Sequence, residues 1–181
     1  MYTGNGKVLD IIGSTELIKV DDIENVPAKI DSGADSSSVW ASCIRVSKNG
    51  VLSFRLFNKN SPLYTGKTIK RHDYKAVVIR NSFGYEQVRY RTHIPLTVKN
   101  RRINAMVTLS DRGNNHFPVL IGRRTLSGKF LIDVSENRPK ISHRKTKQMH
   151  SHLIKNPYSF HYKYFKNKPL SLAAQKERRV K

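Results

Sequence analysis

The sequence predicts an all-β domain with one short helix over residues 1–137, followed by a basic C-terminal extension over residues 138–181. The β assignment comes from short apolar runs bounded by clusters of Gly, Asn, Asp and Ser, a pattern typical of strands and turns. The extension is recognised by its charge, because it contains 13 of the 34 Lys and Arg residues and a single acid, Glu177. A chain of 181 residues has room for one domain with an appendage.

The apolar runs predict strands at Val8–Ile12, Leu17–Val20, Val26–Ile30, Ser38–Val46, Val51–Phe57, Tyr74–Arg80, Gln87–Leu96, Phe117–Ile121 and Phe130–Val134. Thr97-Val98 and Ile103–Leu109 are expected on either side of a turn at residues 99–102. Gly13-Ser14 is predicted to form a turn between the first two strands. The polar stretch Asn58–Asp73 is expected to be a loop or hairpin, and the short helix is expected around Arg124–Ser127. Trp40 and Phe54 are expected in the core rather than in a ligand site.

Two short motifs point to chemistry. Asp31-Ser32-Gly33 follows an apolar strand, and Gly122-Arg123 follows another apolar strand far downstream. Asp, Ser and Gly are also common turn residues, so an ordinary turn is the alternative interpretation of the first motif. The sequence has no internal repeat and only one Asp-Ser-Gly. Acid–base hydrolysis by a pair of carboxylates would therefore require two copies of the chain, related by a two-fold axis.

The residues around these motifs resemble the retropepsin-like aspartic protease superfamily. The resemblance is closest to a bacterial and archaeal group often labelled "ATP-dependent zinc proteases" and linked to ligases that add glutamates to a ribosomal protein. The matching stretches are Ala28–Ala34, Arg80–Gly84, Val88–Tyr90, Leu109–Arg112 and Phe117–Arg123. The resemblance covers about Val8 to Asp133 and implies a closed β-barrel, the acid protease half, with a flap hairpin.

By this resemblance, each functional position has an expected role. Asp31 is the catalytic residue, Ser32 cross-bonds to the partner subunit, and Gly33 permits the tight turn. The substrate-binding and flap residues are Ala34, Asn81, Ser82, Phe83 and Gly84. Asp35 and Arg123 are expected to form a structural ion pair, partly buried and bidentate.

The sequence departs from the superfamily in three places. Ser32 stands where Thr is commoner, Asn58–Asp73 is interpreted as an insertion, and the basic extension lies outside the resemblance. Asp111 is expected to form a local ion pair with Arg112 rather than to act as a catalyst.

No metal or cofactor is expected. The sequence has no His-Glu-x-x-His, its single cysteine is Cys43, and His143, His150 and His152 lie in a basic stretch that repels cations. Residues 1–7 have no apolar leader, and no apolar run approaches the roughly 20 residues of a membrane span. A cytoplasmic protein without membrane contact is therefore expected.

The leading functional hypothesis is an aspartic peptidase-like hydrolase that acts as a homodimer on a peptide or a polyglutamate-type substrate. The alternative is a catalytically silent module of the same fold, whose basic extension 138–181 contacts RNA, the ribosome or an acidic partner. In the extension, Tyr158, Phe160, Tyr162, Tyr164 and Phe165 alternate with basic residues, which suggests either an edge strand or an RNA-stacking arm. A third hypothesis, a small nucleic-acid-binding barrel, leaves the Asp-Ser-Gly and Gly-Arg motifs unexplained.

Overall fold

The computed structural model describes residues 2–4, 6–80, 84–139 and 151–161. Its strands are β1 (Tyr2–Gly4), β2 (Lys7–Val20), β3 (Ile23–Asp31), β4 (Ser37–Val46), β5 (Leu52–Leu56), β6 (Thr68–Arg71), β7 (Tyr74–Arg80), β8 (Glu86–Val98), β9 (Arg101–Ser110), β10 (Val119–Gly122) and β11 (Phe130–Asn137). A short helix, α1 (Arg123–Leu126), follows β10 directly. The chain divides into two compact units, residues 1–140 and 141–181.

The first unit is a closed barrel of six strands. The hydrogen-bonded order is β2-β3-β10-β4-β9-β8, and β8 returns to β2 through the pairs Lys19↔Thr97 and Val20↔Leu96. Inside the barrel order, β10 runs parallel to β3, and β4 runs parallel to β9. The predicted all-β barrel is therefore confirmed.

The barrel encloses one hydrophobic core. Inward-pointing residues alternate along the strands, as the two-residue period of a strand requires. The fully buried set includes Val20, Val26, Val39, Phe54, Ile94, Leu96, Val107, Val119 and Ile121. Phe54 is thus a core residue, as predicted, whereas Trp40 is only partly buried and packs edge-on against Phe57.

The predicted turn at Gly13-Ser14 is wrong, because β2 runs unbroken through both residues for 14 residues. β11 lies parallel to β2 with a register shift near this point. A Cβ on Gly13 would lie 2.6 Å from the backbone oxygen of Glu136. Glycine is therefore needed for the close approach of two strands rather than for a turn.

The remaining strands extend the barrel outwards. β7 pairs with β8 and continues that hairpin beyond the barrel, while β11 and β1 pair with β2. β5 pairs with both β4 and β6, so the stretch Asn58–Asp73 contains a loop and the additional strand β6.

In the second unit, the structure describes residues 151–161. Residues 151–155 and Pro157–His161 are helical, so the edge strand suggested for Tyr158 and Phe160 is wrong. The side-chain Oδ1 of Asn156 accepts a hydrogen bond from the backbone N–H of Ser159 at 2.9 Å, and proline follows Asn156. Asn as the N-cap with Pro next to it is a strong helix start, which overrides the alternating pattern.

The aromatic positions Tyr162, Tyr164 and Phe165 lie outside the described residues. Within the described part of the chain, every helix is too short and too polar to span a bilayer.

Candidate active site

Asp31 is the last residue of β3, and Gly122 of β10 lies opposite it in the sheet. The chain turns immediately afterwards: the backbone N–H of Ala34 donates to the backbone oxygen of Asp31 and lies equally close, at 3.2 Å, to its Oδ1. Its other carboxylate oxygen receives no hydrogen bond from any residue within the described ranges. Ser32 and Gly33 are exposed, so the turn presents a partly exposed carboxylate at the domain surface.

A buried hydrogen-bonded group ties this loop to β10 and α1. The hydroxyl of Ser37 lies 2.7 Å from the hydroxyl of Thr125 and accepts a hydrogen bond from the backbone N–H of Gly122 at 3.0 Å. A Cβ on Gly122 would lie 2.5 Å from the carbonyl carbon of Ser36, so no larger residue fits there without a backbone shift. The Gly-Arg motif thus acts as the support on which the Asp-Ser-Gly loop rests.

The start of α1 fixes the loop from the other side. The backbone N–H of Arg123 donates to the carbonyl of Ala34 at 2.7 Å, and that of Arg124 donates to the carbonyl of Asp35 at 3.2 Å. The first N–H groups of a helix have no partner within the helix, so the loop carbonyls satisfy them. The backbone of residues 34–35 is therefore held by the helix that follows Gly122.

Gly33 is not required by the turn itself, contrary to the expectation from the sequence. Gly33 does not adopt a positive φ, so its turn is open to other residues. A Cβ there would contact only Oδ1 of Asp31, at an ordinary 3.6 Å. Within one chain, no backbone or steric requirement for glycine exists at this position among the described residues.

Asp35 lies next to the turn and pairs with two arginines. Its Oδ1 lies 3.0 Å from Nη2 of Arg123, and its Oδ2 lies 2.8 Å from Nη2 of Arg124. The hydrogen bond from Arg123 and the charge of Arg124 lower the pKa of Asp35 below its ordinary value. The predicted ion pair between Asp35 and Arg123 is formed, but it is not bidentate because Arg124 takes the second oxygen, and the three side chains are 49–66% exposed.

The β7–β8 hairpin corresponds to the expected flap. Its strands pair in register from Tyr74↔Thr92 to Arg80↔Glu86, and the last pair also forms a salt bridge. Val78 and Val88 are directly opposed and both are more than 60% exposed. Asn81, Ser82 and Phe83, which were expected to belong to the flap, lie outside the described residues, and Gly84 is exposed with φ of 81°.

A cleft of about 480 Å³ lies between β8, the middle of β4 and the end of β9. Its lining includes Trp40, Cys43, Arg89, Ser110 and Asp111. This volume falls within the range of small-ligand and peptide side-chain pockets. Trp40 forms part of the wall, and its buried Nε1–H has no acceptor among the described residues. The indole is therefore both a packing residue and a wall of the cleft.

Two arginines near this cleft were not singled out from the sequence. Burial lowers the pKa of Arg112, nearby Arg89 lowers it further, and the charge of Asp31 opposes both effects. Burial also lowers the pKa of Arg89. Arg89 lines the cleft, and Arg112 follows the cleft residues Ser110 and Asp111 in the chain. Both belong to the stretches that carry the family resemblance, and that membership is the signal the sequence offered.

The expected ion pair between Asp111 and Arg112 is not formed. Oδ1 of Asp111 accepts a hydrogen bond from the backbone N–H of Gly113 at 3.0 Å, whereas Nε of Arg112 donates to the carbonyl of Phe117 at 2.9 Å. Adjacent side chains in an irregular loop point apart, and each satisfies a backbone group of that loop instead.

Across the described parts of the chain, no three His, Cys, Asp or Glu side chains form a group that could hold a metal ion. Cys43 is exposed, and His143 and His150 lie outside the described residues.

Comparison with known proteins adds independent information. A family model described as "Retropepsin-like aspartic endopeptidase RimB" matches residues 11–143. A probable α-L-glutamate ligase from Desulfotalea psychrophila is 27% identical over 128 residues, which is 68% of this chain and 28% of the relative. Another from Shewanella pealeana is 30% identical over 115 residues, which is 62% of this chain and 25% of the relative. This chain thus spans about a quarter of the length of these curated relatives.

A solved structure shares the fold. The crystal structure of a Legionella pneumophila protein of unknown function superposes with a TM-score of 0.53 at 21% identity, covering 71% of this chain and 95% of that chain. The resemblance drawn from the sequence motifs is confirmed by the family match, which includes both the Asp-Ser-Gly and the Gly-Arg motifs. The chain belongs to the RimB-like family of retropepsin-like aspartic endopeptidases.

Proposed function

We propose that this protein is an aspartic hydrolase of peptide or related amide bonds that works as a homodimer, with Asp31 contributed by each subunit. The observation that carries the proposal is the Asp31 carboxylate, which ends a barrel strand, is held by the Ala34 N–H and keeps one oxygen without a bond to any described residue. Membership of a family of aspartic endopeptidases supports the same reaction class.

The mechanism needs two carboxyl groups that share one proton, because two like charges about 3 Å apart are not ionised together. The ionised carboxylate takes a proton from a bound water as the water oxygen forms a bond to the carbonyl carbon. The protonated carboxyl group donates a hydrogen bond to the carbonyl oxygen. When the tetrahedral intermediate collapses, the carbon–nitrogen bond breaks and the leaving nitrogen takes a proton from the acid. No metal takes part in these steps.

The arrangement of the loop fits this role. One chain supplies one Asp-Ser-Gly turn, and the exposed Ser32 hydroxyl and the open space beside Gly33 leave room for the same turn of a second copy. A two-fold axis beside Asp31 would bring the two carboxylates together. The exposed apolar pair Val78 and Val88 on the flap hairpin suits a lid that covers a bound peptide and excludes water.

A polyglutamate-type amide is the substrate we propose first. Two relatives that align with this chain are named probable α-L-glutamate ligases, and the family resemblance connects it with such ligases. A formal charge of +21 would also attract a polyanionic chain and speed its encounter at low salt. The subcellular site proposed for this reaction is the cytoplasm.

Asp31→Asn tests the proposal because it preserves the shape of the loop and removes the shared proton. We expect hydrolysis of oligoglutamate and of mixed peptides to fall by roughly 100- to 10,000-fold, the contribution of positioned acid–base groups. The measurement is the rate of new amine formation, followed by mass spectrometry of the products.

Asp133→Asn is the matched control, because that aspartate is bonded to Ser135 on the exposed strand β11. The control variant should keep full activity. Unchanged hydrolysis by the Asp31→Asn variant would disprove the proposed chemistry.

The basic extension favours a second candidate function, binding of RNA, the ribosome or an acidic partner through residues 138–181. The 13 basic residues there would release counterions from a polyanion, so affinity should fall steeply as salt is raised. Removing residues 138–181 should abolish binding to single-stranded RNA. Binding that survives the deletion, or that is independent of salt, would exclude this function for the extension.

A further inference from the structure

One side of the first unit is built from a segment that lacks acids. The segment from Ser36 to His72 contains seven Lys and Arg residues and no Asp or Glu. It includes β4, β5 and β6, and β5 pairs with both of the other strands. The β4–β5–β6 sheet therefore has no acid of its own to neutralise its cations.

The outward side of this sheet can be read from its register. β5 alternates between buried apolar residues and the partly exposed Ser53 and Arg55, so these two side chains point outwards. Arg45 of β4 and Lys70 of β6 both pair with Ser53, and Thr68 of β6 pairs with Arg55. Paired residues point to the same side of a sheet. The outward residues, here called the basic face, are Ser42, Arg45, Ser53, Arg55, Thr68 and Lys70.

The cations of the basic face have no acidic partner in the part of the chain that the structure describes. Arg45 and Lys70 are exposed, Arg55 is half-buried, and none of the three forms a salt bridge with a described residue. Lys67 shows the contrast, because it lies just before β6 and binds two aspartates of the turn between β2 and β3, at 3.4 Å and 2.7 Å. A group of cations without local acids creates a positive potential that attracts anions.

The side chains of the basic face are those that bind phosphate groups of a nucleic-acid backbone. Phosphate oxygens in such complexes are bound by Lys and Arg together with Ser and Thr hydroxyls. Nε of Arg55 donates to the hydroxyl of Thr68 at 3.2 Å, and its Nη1 donates to the hydroxyl of Tyr64 at 3.0 Å. Arg45 and Lys70 are separated by two inter-strand spacings, about 9.5 Å. They are therefore far enough apart to contact different phosphate groups.

Other occupants suit the basic face less well. None of its six residues is aromatic or a large apolar residue. Single strands are held by stacking of bases on aromatic side chains, and binding in a membrane surface buries apolar side chains. A second copy of this chain would bring like charges together. A duplex keeps its bases stacked inside and presents a dense row of phosphates, which needs cations and hydroxyls alone.

We propose that the basic face is a docking surface for the phosphate backbone of double-stranded nucleic acid, bound without sequence preference. The surface lies within the first unit and includes neither Asp31 nor any residue of the extension 138–181. It is therefore independent of the proposed hydrolysis and of single-strand binding by the extension.

Salt-dependent binding of the full chain to a fluorescent DNA duplex of about 20 base pairs tests the proposal. Affinity is measured by fluorescence anisotropy between about 0.05 and 0.2 M salt. Each phosphate contact contributes about 0.9 to the slope of log affinity against log salt, so Arg45→Gln with Lys70→Gln should make that slope shallower by about 1.8. Affinity at about 0.1 M salt should fall roughly 10- to 50-fold. The exchange of Arg45→Lys with Lys70→Arg keeps both charges and should retain the slope.

Lys99→Gln with Lys129→Gln is the matched control. Lys99 lies in the turn before β9 and Lys129 in the turn before β11, so both are outside the β4–β5–β6 sheet. The control removes two charges and should leave the slope unchanged. Thermal unfolding of each variant checks that the barrel is intact. An unchanged slope in the Arg45 and Lys70 variant, or an equal change in the control, would overturn the docking surface.

Three further probes separate the possible partners. A single strand of the same sequence should lose little affinity in the Arg45 and Lys70 variant, and a loss equal to that of the duplex would overturn the assignment to a duplex. A glutamate decamer or phosphatidylserine-containing vesicles that lose affinity in this variant, while the duplex does not, would overturn the proposal in favour of an acidic peptide or a lipid surface. Asp31→Asn should bind the duplex with unchanged affinity, so a failure of the proposed hydrolysis leaves this inference standing.

Discussion

Gly33 follows Asp31 by two residues in the chain, and Gly122 pairs with Asp31 in the sheet. The two glycines have very different surroundings. A Cβ on Gly122 would lie within 2.5–2.9 Å of three backbone atoms of Ser36 and Ser37, whereas a Cβ on Gly33 would contact only Oδ1 of Asp31 at 3.6 Å. Neither glycine has a positive φ, so backbone conformation explains neither of them. Packing inside the chain requires glycine at position 122, whereas no described contact requires glycine at position 33, where the proposed second subunit would approach.

The contrast distinguishes two parts of the candidate site: the buried residues that support the Asp-Ser-Gly loop, and the exposed surface of the loop itself. The support is complete in one chain: Ser37, Gly122 and Thr125 are buried and joined by hydrogen bonds. The proposed reactive surface is open, because Ser32, Gly33 and one oxygen of Asp31 have few contacts in the described chain. A complete support beneath an open carboxylate is compatible with the proposed site shared between two subunits.

Gly122→Ala should have the largest effect, and the effect should be on folding. The new methyl group would overlap the backbone of Ser36, and forcing extra volume into a packed region costs about 3 kcal/mol when the backbone has to move. We expect Tm to fall by on the order of 10 °C in a thermal unfolding experiment. A variant with unchanged Tm would show that Gly122 is not a packing requirement.

Gly33→Ala should show the opposite pattern. The added methyl group fits within one chain, so the free energy of unfolding should change by less than about 1 kcal/mol. Hydrolysis should fall by roughly 100-fold, because the methyl group occupies space that the second turn needs and misplaces the two carboxylates. Full activity together with an unchanged Tm would mean that no partner approaches Gly33.

Asp35→Asn should have the smallest effect, seen in the pH dependence of stability. The two arginines lower the pKa of Asp35 in the folded state, so its stabilising charge is present above the ordinary value of 3.8 and is lost as the pH falls below it. The variant should have a Tm lower by less than about 4 °C at neutral pH. That difference should shrink below pH 3.8. A difference independent of pH would mean that the ion pairs contribute nothing.

The barrel and the Asp31 turn could be predicted because their signals are local. Apolar runs specify the strands, and Asp-Ser-Gly after Ile30 specifies the turn, as β3 and residues 32–34 show. Gly13 was assigned to a turn because its actual neighbour, Glu136, is more than a hundred residues away in the sequence. In the sequence, a glycine needed for close packing against a distant strand cannot be distinguished from a glycine that forms a turn.

The charged neighbours of the site were harder to predict for the same reason. The motif predicts Arg123 as the partner of Asp35, but Nη2 of Arg124 lies 2.8 Å from the second oxygen of that carboxylate. Arg112 lies beside Asp111 in sequence, yet the loop directs it towards Phe117. The backbone conformation of a loop determines which group an arginine side chain contacts. Proximity in the sequence does not determine that partner.

The shared carboxylate pair is tested most directly by mixing unmodified protein with the Asp31→Asn variant. The total concentration is held fixed, the subunits are allowed to exchange, and the rate of hydrolysis is measured as the unmodified fraction is varied. A mixed dimer has one carboxylate and no acid–base pair, so the rate should fall as the square of the unmodified fraction. A rate that falls in direct proportion would contradict the central claim, since each chain would then act alone.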